Sequence, residues 1–382
     1  MRPGPAAASV VGCTVRPIAT AATDVWREPA FACITKELRP RAHPWHHGHH
    51  SRWTIPTALI FGISGQDGSL LAQQLLSEGW AVHGTSRNAA LHDFRNLARL
   101  GIRDRVTLHS SDPAEFRSVM GVVARTEPTE IYNLSGQTSV GLSFDQPVET
   151  NDSIMAATLN ILEVIRYQDK RIRFYSAASS ECFGNTPPDG ADETTPFRPR
   201  SPYAVAKAAA YWTVANYREG HGLFAVSGIL FNHESPLRPE QFVTQKTIRG
   251  AGRIERGEAR GPLRLGRLDV RRDWGWADEY VGAMRMMLRQ EAPEDFVIAT
   301  GESRTLGEFA AEAFAAFGLD WKEHVVSDPE LARPTDILVS VGRPERARER
   351  LKWAATMRMS EVAKRLAADE GTRNQPPTPS MR

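Results

Sequence analysis

Apolar positions along the chain gather in short dense runs that alternate with stretches of helical spacing. Ala58-Leu59-Ile60-Phe61 is the first run, ending at a glycine, as a strand buried on both faces should. Leu70, Leu71, Leu75 and Leu76 then recur at helix spacing. The same pattern predicts strands at Ala81–Thr85, Val106–Leu108, Glu130–Leu134, Ile172–Ser176 and Phe224–Leu230, with helical segments between them, Ile154 to Arg166 included. Strands alternating with helices imply an α/β fold, a doubly wound parallel sheet covered on both faces.

After Asn232 the alternation weakens. Arg and Gly become frequent, as in Arg249-Gly250-Ala251-Gly252-Arg253, and helical runs recur near Glu279–Arg289, Leu306–Phe317 and Met359–Ala368. We read 54–235 as the sheet domain and 236–370 mainly as a smaller C-terminal α/β lobe. Residues 371–382, with several Pro and polar positions, read as a loose tail. Residues 1–53 are rich in Ala, Pro, Arg and His, poor in acids, and show no sustained period. They read as a disordered extension or the product of a misplaced start codon and stay outside the fold argument.

Composition adds mainly exclusions. The 382 residues are 41% apolar and 24% charged, ordinary for a globular protein, and the net charge of +2 gives no reason to expect nucleic acid or an acidic membrane as partner. No apolar run reaches the roughly 18 to 20 residues of a membrane span. Cys13, Cys33 and Cys182 match neither a disulfide framework nor a zinc pattern, which fits a reducing, cytoplasmic setting. Cys182 reads as a small apolar filler. The His-rich stretch His43–His50 has no Cys or acidic partner at ligand spacing, so no metal site is assigned.

The candidate chemistry begins where the first strand ends. Gly62-Ile63-Ser64-Gly65-Gln66-Asp67-Gly68 is a G-x-x-G-x-x-G loop that opens a helix. Such a loop lets backbone approach a pyrophosphate, and the free N–H groups of the helix start hold the anion, so a Rossmann-type dinucleotide site is expected. An acid at the end of the second strand would suit NAD. Here the chain reads Thr85-Ser86-Arg87-Asn88, and Arg87 suits the 2′-phosphate of NADP. Asp112, after the third strand, is placed to meet the adenine edge.

A second cluster surrounds the fifth strand. Ser201 is a good N-cap and Pro202 suits the first helical position, so Tyr203 and Lys207 lie four apart on one helix face. An ammonium beside a phenol is expected to lower the phenol's pKa, so that Tyr203 takes a proton from a sugar hydroxyl while Lys207 holds the nicotinamide ribose. The strand itself ends in Ser176-Ala177-Ala178-Ser179-Ser180-Glu181, where a serine can orient the reacting oxygen. Alcohol oxidation needs no carboxylate. Elimination of water needs an acid–base group, and Glu181 fits that need.

Together these pieces resemble the extended short-chain dehydrogenases. Longer stretches resemble the GDP-mannose 4,6-dehydratases in particular: Gly65 to Ser69, Thr195 to Phe197, Pro199 to Lys207, Gly228 to Pro236, Arg272 to Gly275 and Glu294 to Gly301. The likeness spans roughly residues 54 to 368. It implies that GDP-mannose is oxidised at carbon 4, loses water across carbons 5 and 6, and regains the hydride at carbon 6, with NADP regenerated each turn. It implies a catalytic set of Ser179, Glu181, Tyr203 and Lys207, with Ser179 where the family has Thr. It places Leu134, Ser135, Gly136, Gln137, Thr138, His233 and Arg238 at cofactor-contacting positions, and Asn232, Lys246 and Arg272 at the nucleotide sugar. It also implies a homodimer or homotetramer, although the Arg-rich loop that joins subunits is only partly present. Departures fall mostly in the cofactor half: Phe61-Gly62 for Thr-Gly, Ser139 for His, Asn88 for a basic residue, Glu149 for Tyr, and Ser111-Asp112-Pro113 for Gly-Asp-Leu. The alternatives are a reductase or epimerase of a related GDP-sugar, and an NADP-binding protein impaired in catalysis.

Overall fold

Seven parallel strands form the central sheet. In chain order they are β1 (Thr57–Phe61), β2 (Ala81–Ser86), β3 (Thr107–Ser110), β4 (Glu130–Asn133), β5 (Arg173–Ser179), β6 (Ala225–Leu230) and β7 (Phe296–Ile298). Across the sheet they run β7-β6-β5-β4-β1-β2-β3. The structure is a computed structural model and describes residues 55–373 except 260 and 332. The expectations for 1–53, the His-rich stretch included, and for 374–382 lie outside the described residues.

The pleat explains why β1 is apolar throughout. Ala58 and Ile60 face one core, which includes Leu71 and Leu75 of helix α1 (Gln66–Ser77). Leu59 and Phe61 face the other, packed with helices α2 (Phe116–Thr126), α3 (Ala157–Gln168) and α4 (Pro202–His221). Both faces are thus covered by helices, as a parallel sheet requires. Helix α4 begins as its sequence signals demand: Pro202 occupies the first turn, and Ser201 Oγ accepts from Ala204 N at 3.1 Å.

The smaller lobe carries its own core. Helices α5 (Val243–Glu255), α7 (Leu306–Ala315) and α8 (Met359–Arg373) enclose Ile248, Leu265, Trp274, Phe309 and Val362. Two features differ from the sequence reading. Phe296–Ile298, within the stretch assigned to this lobe, is β7 of the main sheet, and helix α6 (Ala277–Leu288) packs on the same sheet's core. The strand escapes notice because it falls after the strand–helix alternation has weakened, and the helix's spacing does not say which core it covers. The supposed tail also starts late, since residues 371–373 continue α8.

Among the described residues no helix is long and apolar enough to cross a membrane.

Candidate active site

The strand order reverses between β1 and β4, which opens a crevice at their carboxyl ends. The phosphate loop enters it directly from β1. Gly62 adopts φ +85°, and a Cβ there would stand 2.6 Å from the Leu134 carbonyl oxygen. At Gly68 a Cβ would stand 2.4 Å from the Gly62 carbonyl oxygen. Gly65, with φ −70°, would meet only the Gly62 oxygen, at 3.4 Å. Two of the three glycines are therefore demanded by backbone packed on backbone. Gly65 is the N-cap of α1 and carries no side-chain cap, so the first N–H groups of that helix, from Gln66, Asp67 and Gly68, stay directed to the crevice. Ile63 and Ser69 lock the turn through Ser69 Oγ to the Ile63 carbonyl at 2.9 Å, and Asn96 Nδ2 donates to the Ser64 carbonyl at 3.1 Å.

The loop from Leu134 to Thr138 forms the opposite wall. Leu134 N donates to the Phe61 carbonyl at 3.0 Å, and Ser135 Oγ donates to Asn133 Oδ1 at 2.6 Å. Gly136 lies against Ile154 and Ser153 in a π-helical turn, Asp152–Ala156, whose Ser153 Oγ accepts from Gln137 N at 3.2 Å. Arg87 is exposed at the end of β2, and Asp112 follows β3, its Oδ1 accepting from Ala114 N at 3.0 Å. These two stand at neighbouring strand ends, since β2 pairs with β3.

A third segment closes on the phosphate loop from the side of β6. His233 Nε2 lies 2.9 Å from Asp67 Oδ2, and its Nδ1 lies 2.7 Å from the Phe231 carbonyl oxygen. Burial opposes charge on both partners, but their mutual attraction and hydrogen bond prevail. Asp67 is held below the usual carboxylate range and His233 above the ordinary imidazole value. Gln66 Nε2 donates to Asp67 Oδ1 at 2.9 Å, and Ser235 Oγ donates to Gln66 Oε1 at 2.8 Å. Arg238 pairs with Glu234 at 3.2 Å and donates to the His233 carbonyl at 3.1 Å.

Ser179, Glu181, Tyr203 and Lys207 come together where β5 ends and α4 begins. Ser179 Oγ accepts from Glu181 N at 3.2 Å, and the Ser179 hydroxyl also reaches the Tyr203 phenol. Lys207 Nζ donates to the Ala177 carbonyl at 2.7 Å and stands 5.9 Å from the centre of the Tyr203 ring. One expectation is corrected here. In the chain alone the phenol is pushed up rather than down, because burial outweighs the Ser179 hydrogen bond. Burial likewise brings Lys207 down to about 8, and its ammonium faces a carbonyl. Cys182 is buried and pushed up to about 12 by burial, so its thiol is inert.

The substrate-side residues are partly gathered. Arg272 is buried, 3.6 Å from Asp336, and the Glu181 carboxylate lies near enough to favour its charged form against burial. Glu181 exerts the same kind of field on Tyr203. Asn232 heads a short strand, Asn232–Glu234, paired with Trp274–Trp276 two residues beyond Arg272. Lys246 on α5 instead donates to the Arg264 carbonyl at 2.7 Å. The sequence reading placed Asp273 in the family-like stretch Arg272 to Gly275 but gave it no role. It is fully buried and accepts from Thr300 N at 2.9 Å, Thr300 Oγ1 at 2.7 Å and Gly301 N at 2.9 Å, tying the Arg272 strand to the chain just after β7. A further signal was an acid beside the apolar stretch Trp274-Gly275-Trp276.

The donor set fits a dinucleotide: an uncapped helix start, a glycine turn with no room for a Cβ, and a Tyr–Lys pair at the end of β5. Among the described residues no three His, Cys, Asp or Glu side chains gather as a metal site.

Comparison with known proteins agrees with this architecture. The sequence profile of the family described as GDP-mannose 4,6 dehydratase matches residues 59–366. The chain is 42% identical over 323 residues to GDP-mannose 4,6 dehydratase 1 of Arabidopsis thaliana, a match covering 82% of this chain and 89% of the relative. It is 40% identical over 337 residues to GDP-mannose 4,6-dehydratase of Sinorhizobium fredii, covering 82% and 96% respectively. The fold is shared with UDP-glucose 4-epimerase of Thermus thermophilus, solved in complex with NAD, at a TM-score of 0.73 and 24% identity over 84% of this chain and 100% of that one. With one profile spanning most of its length and relatives this similar in a plant and a bacterium, the chain belongs to the GDP-mannose 4,6-dehydratase family.

Proposed function

We propose that the protein converts GDP-mannose to GDP-4-keto-6-deoxymannose and water, as an NADP-dependent carbon–oxygen lyase. The phosphate loop from Gly62 to Gly68 and the wall from Leu134 to Thr138 hold the dinucleotide. Exposed Arg87 meets the 2′-phosphate, and Asp112 the adenine. Bound there, oxidised nicotinamide supplies a hydride acceptor and a positive charge that pulls the buried phenol's pKa back down.

The residues of the chain divide the remaining work. Tyr203 takes the proton of the carbon 4 hydroxyl, oriented by Ser179, and Lys207 holds the ribose. A ketone at carbon 4 acidifies the carbon 5 proton. Glu181 removes that proton and delivers one to the departing carbon 6 hydroxyl, and return of the hydride to carbon 6 with a proton to carbon 5 would complete the 4-keto-6-deoxy product. Arg272, Lys246 and Asn232 bind the nucleotide sugar, the cations meeting its diphosphate. In this reading 54–235 is the cofactor domain and 236–370 mainly the substrate lobe, while β7 and α6 belong with the main sheet. We further read the protein as a cytoplasmic homodimer or homotetramer. Val205 and Trp212, 53% and 62% exposed on α4, support a second copy there.

The observation that carries this reading is Glu181, a carboxylate whose field reaches both Tyr203 and Arg272. Incubation with GDP-mannose and catalytic NADP is expected to yield the 4-keto-6-deoxy product with no net NADPH. Glu181→Gln is expected to slow water loss by roughly 100-fold or more while NADP affinity stays unchanged. Dehydration at full speed by that variant would remove Glu181 from the mechanism, and net reduction of an added keto-sugar would make the protein a reductase.

A further inference from the structure

Asp67 raises a problem of charge. It lies in the first turn of α1, where the dipole and the uncapped N–H groups favour an anion. A bare carboxylate at that point would repel an anionic ligand arriving at the same helix start.

His233 answers it, and the hydrogen-bond pattern around the ring fixes how. The Phe231 carbonyl, 2.7 Å from Nδ1, can only accept, so Nδ1 carries a hydrogen. Nε2 faces Asp67 Oδ2 at 2.9 Å, a distance that two opposed lone pairs would not hold. A proton therefore lies between them. The balance favours the nitrogen: Gln66 donates its amide to Asp67 Oδ1 at 2.9 Å, Lys207 adds a positive field at Asp67, and Arg238 stabilises the carboxylate while opposing the imidazolium, which the Asp67 charge and hydrogen bond overcome. Every other facing group is accounted for. The Tyr280 ring of α6 stacks on the imidazole at 4.7 Å, the Asp67 charge reaches the neutral Tyr175 phenol of β5, and Glu234 is paired with Arg238 and accepts from Thr244 Oγ1 at 2.6 Å.

We propose that Asp67 and His233 are positioning residues for the dinucleotide. His233 is a doubly protonated imidazolium that cancels the Asp67 charge and ties the phosphate loop to the segment after β6. The pyrophosphate thus meets helix N–H groups with no net negative charge beside them. This rests on the cofactor reading above and deepens it. The second proton of His233 is retained above the ordinary imidazole range and lost as pH rises further, which uncovers Asp67 and weakens cofactor binding. Lys207 also loses charge near pH 8, so a wild-type titration alone does not isolate the pair.

The test uses the full chain. In the unliganded protein at neutral pH, ¹⁵N NMR of the histidine rings, with His233 assigned by its absence in His233→Gln, is expected to show both ring nitrogens protonated. An unprotonated Nε2 overturns the proposal. Dissociation constants for NADP are then measured from about pH 6 to 9 for wild type, His233→Gln, Asp67→Asn and the double variant. His233→Gln is expected to weaken binding roughly ten- to a hundredfold near neutrality, by leaving Asp67 uncompensated. The double variant is expected to return to within about threefold of wild type, which a merely structural prop would not do. Asp67→Asn is expected to bind with a shallower pH dependence than wild type, retaining only the part due to Lys207. If the double variant stays as weak as His233→Gln, or if Asp67→Asn matches the wild-type pH profile, the proposal fails while the cofactor reading stands. If the wild-type chain binds no dinucleotide at any pH, both fail. Thermal melts of each variant guard against loss of the fold, and should His233→Gln not fold, the Asp67→Asn profile decides.

Discussion

The two ends of the candidate site are held by different means. At the phosphate loop, backbone presses on backbone: Gly62 against the Leu134 carbonyl and Gly68 against Gly62. At Arg272 the restraint is polar and comes from afar. Asp273 gathers Thr300 and Gly301, and Asp336 stands beside the guanidinium. The glycine turn itself is steric and indifferent to pH, unlike the Asp67–His233 pair beside it. The restraint at Arg272 depends on a carboxylate kept in a dry interior, so it inherits that group's titration. Shape sets the glycine turn, and charge sets the Arg272 strand.

That contrast is broken most directly at the loop. Gly62→Ala or Gly68→Ala must move backbone, and each is expected to cost at least about 3 kcal/mol of stability, with dinucleotide binding lost. Urea melts and NADP titration measure both. Tolerance of either substitution would mean that the loop is not sterically set. At the other end, burial raises Asp273 to about 6 from 3.8. The folded chain therefore holds that proton to higher pH than the unfolded chain. Its contribution to stability is greatest below the unfolded value and declines as pH climbs through about 6, by about 3 kcal/mol in all. Asp273→Asn is expected to flatten stability against pH in that window and to raise KM for GDP-mannose with NADP affinity unchanged. An unaltered pH profile would show that the carboxylate is not in a dry site. The smallest effect belongs to Gly65, which has room for a methyl group. Gly65→Ala is expected to cost about 1 kcal/mol or less, through its weaker N-cap propensity. A loss as large as that of Gly62→Ala would erase the distinction among the three glycines.

The same contrast governs what could be read from the sequence. Strands β1 to β6 were legible because short apolar clusters alternate with stretches of helical spacing, and the α4 start was legible because Ser201 and Pro202 signal it locally. The Gly62 turn was legible from spacing, although which glycines are obligatory was not, since that depends on Leu134, a residue of the loop after β4. Tyr203, Lys207, Ser179 and Glu181 could be grouped from β5 and α4 alone. The Asp67–His233 pair spans 166 positions and Asp273–Thr300 spans 27, and no local pattern announces either. The phenol's raised pKa was missed for a related reason: helix spacing shows that a lysine is near but not how dry the site is.

One edge of the sheet has a consequence for biosynthesis. All six residues of β6 are buried, and its outer edge is completed only by Phe296–Ile298. As the polypeptide leaves the ribosome, that edge stays open until about 65 further residues have emerged, an invitation to pair with another nascent chain. A fragment ended at 235 would carry the nucleotide loop and the Tyr–Lys pair and yet present a bare apolar strand, so expressing the first domain alone should favour aggregates over a soluble half-enzyme. The later segment thus acts as a chaperone built into its own client.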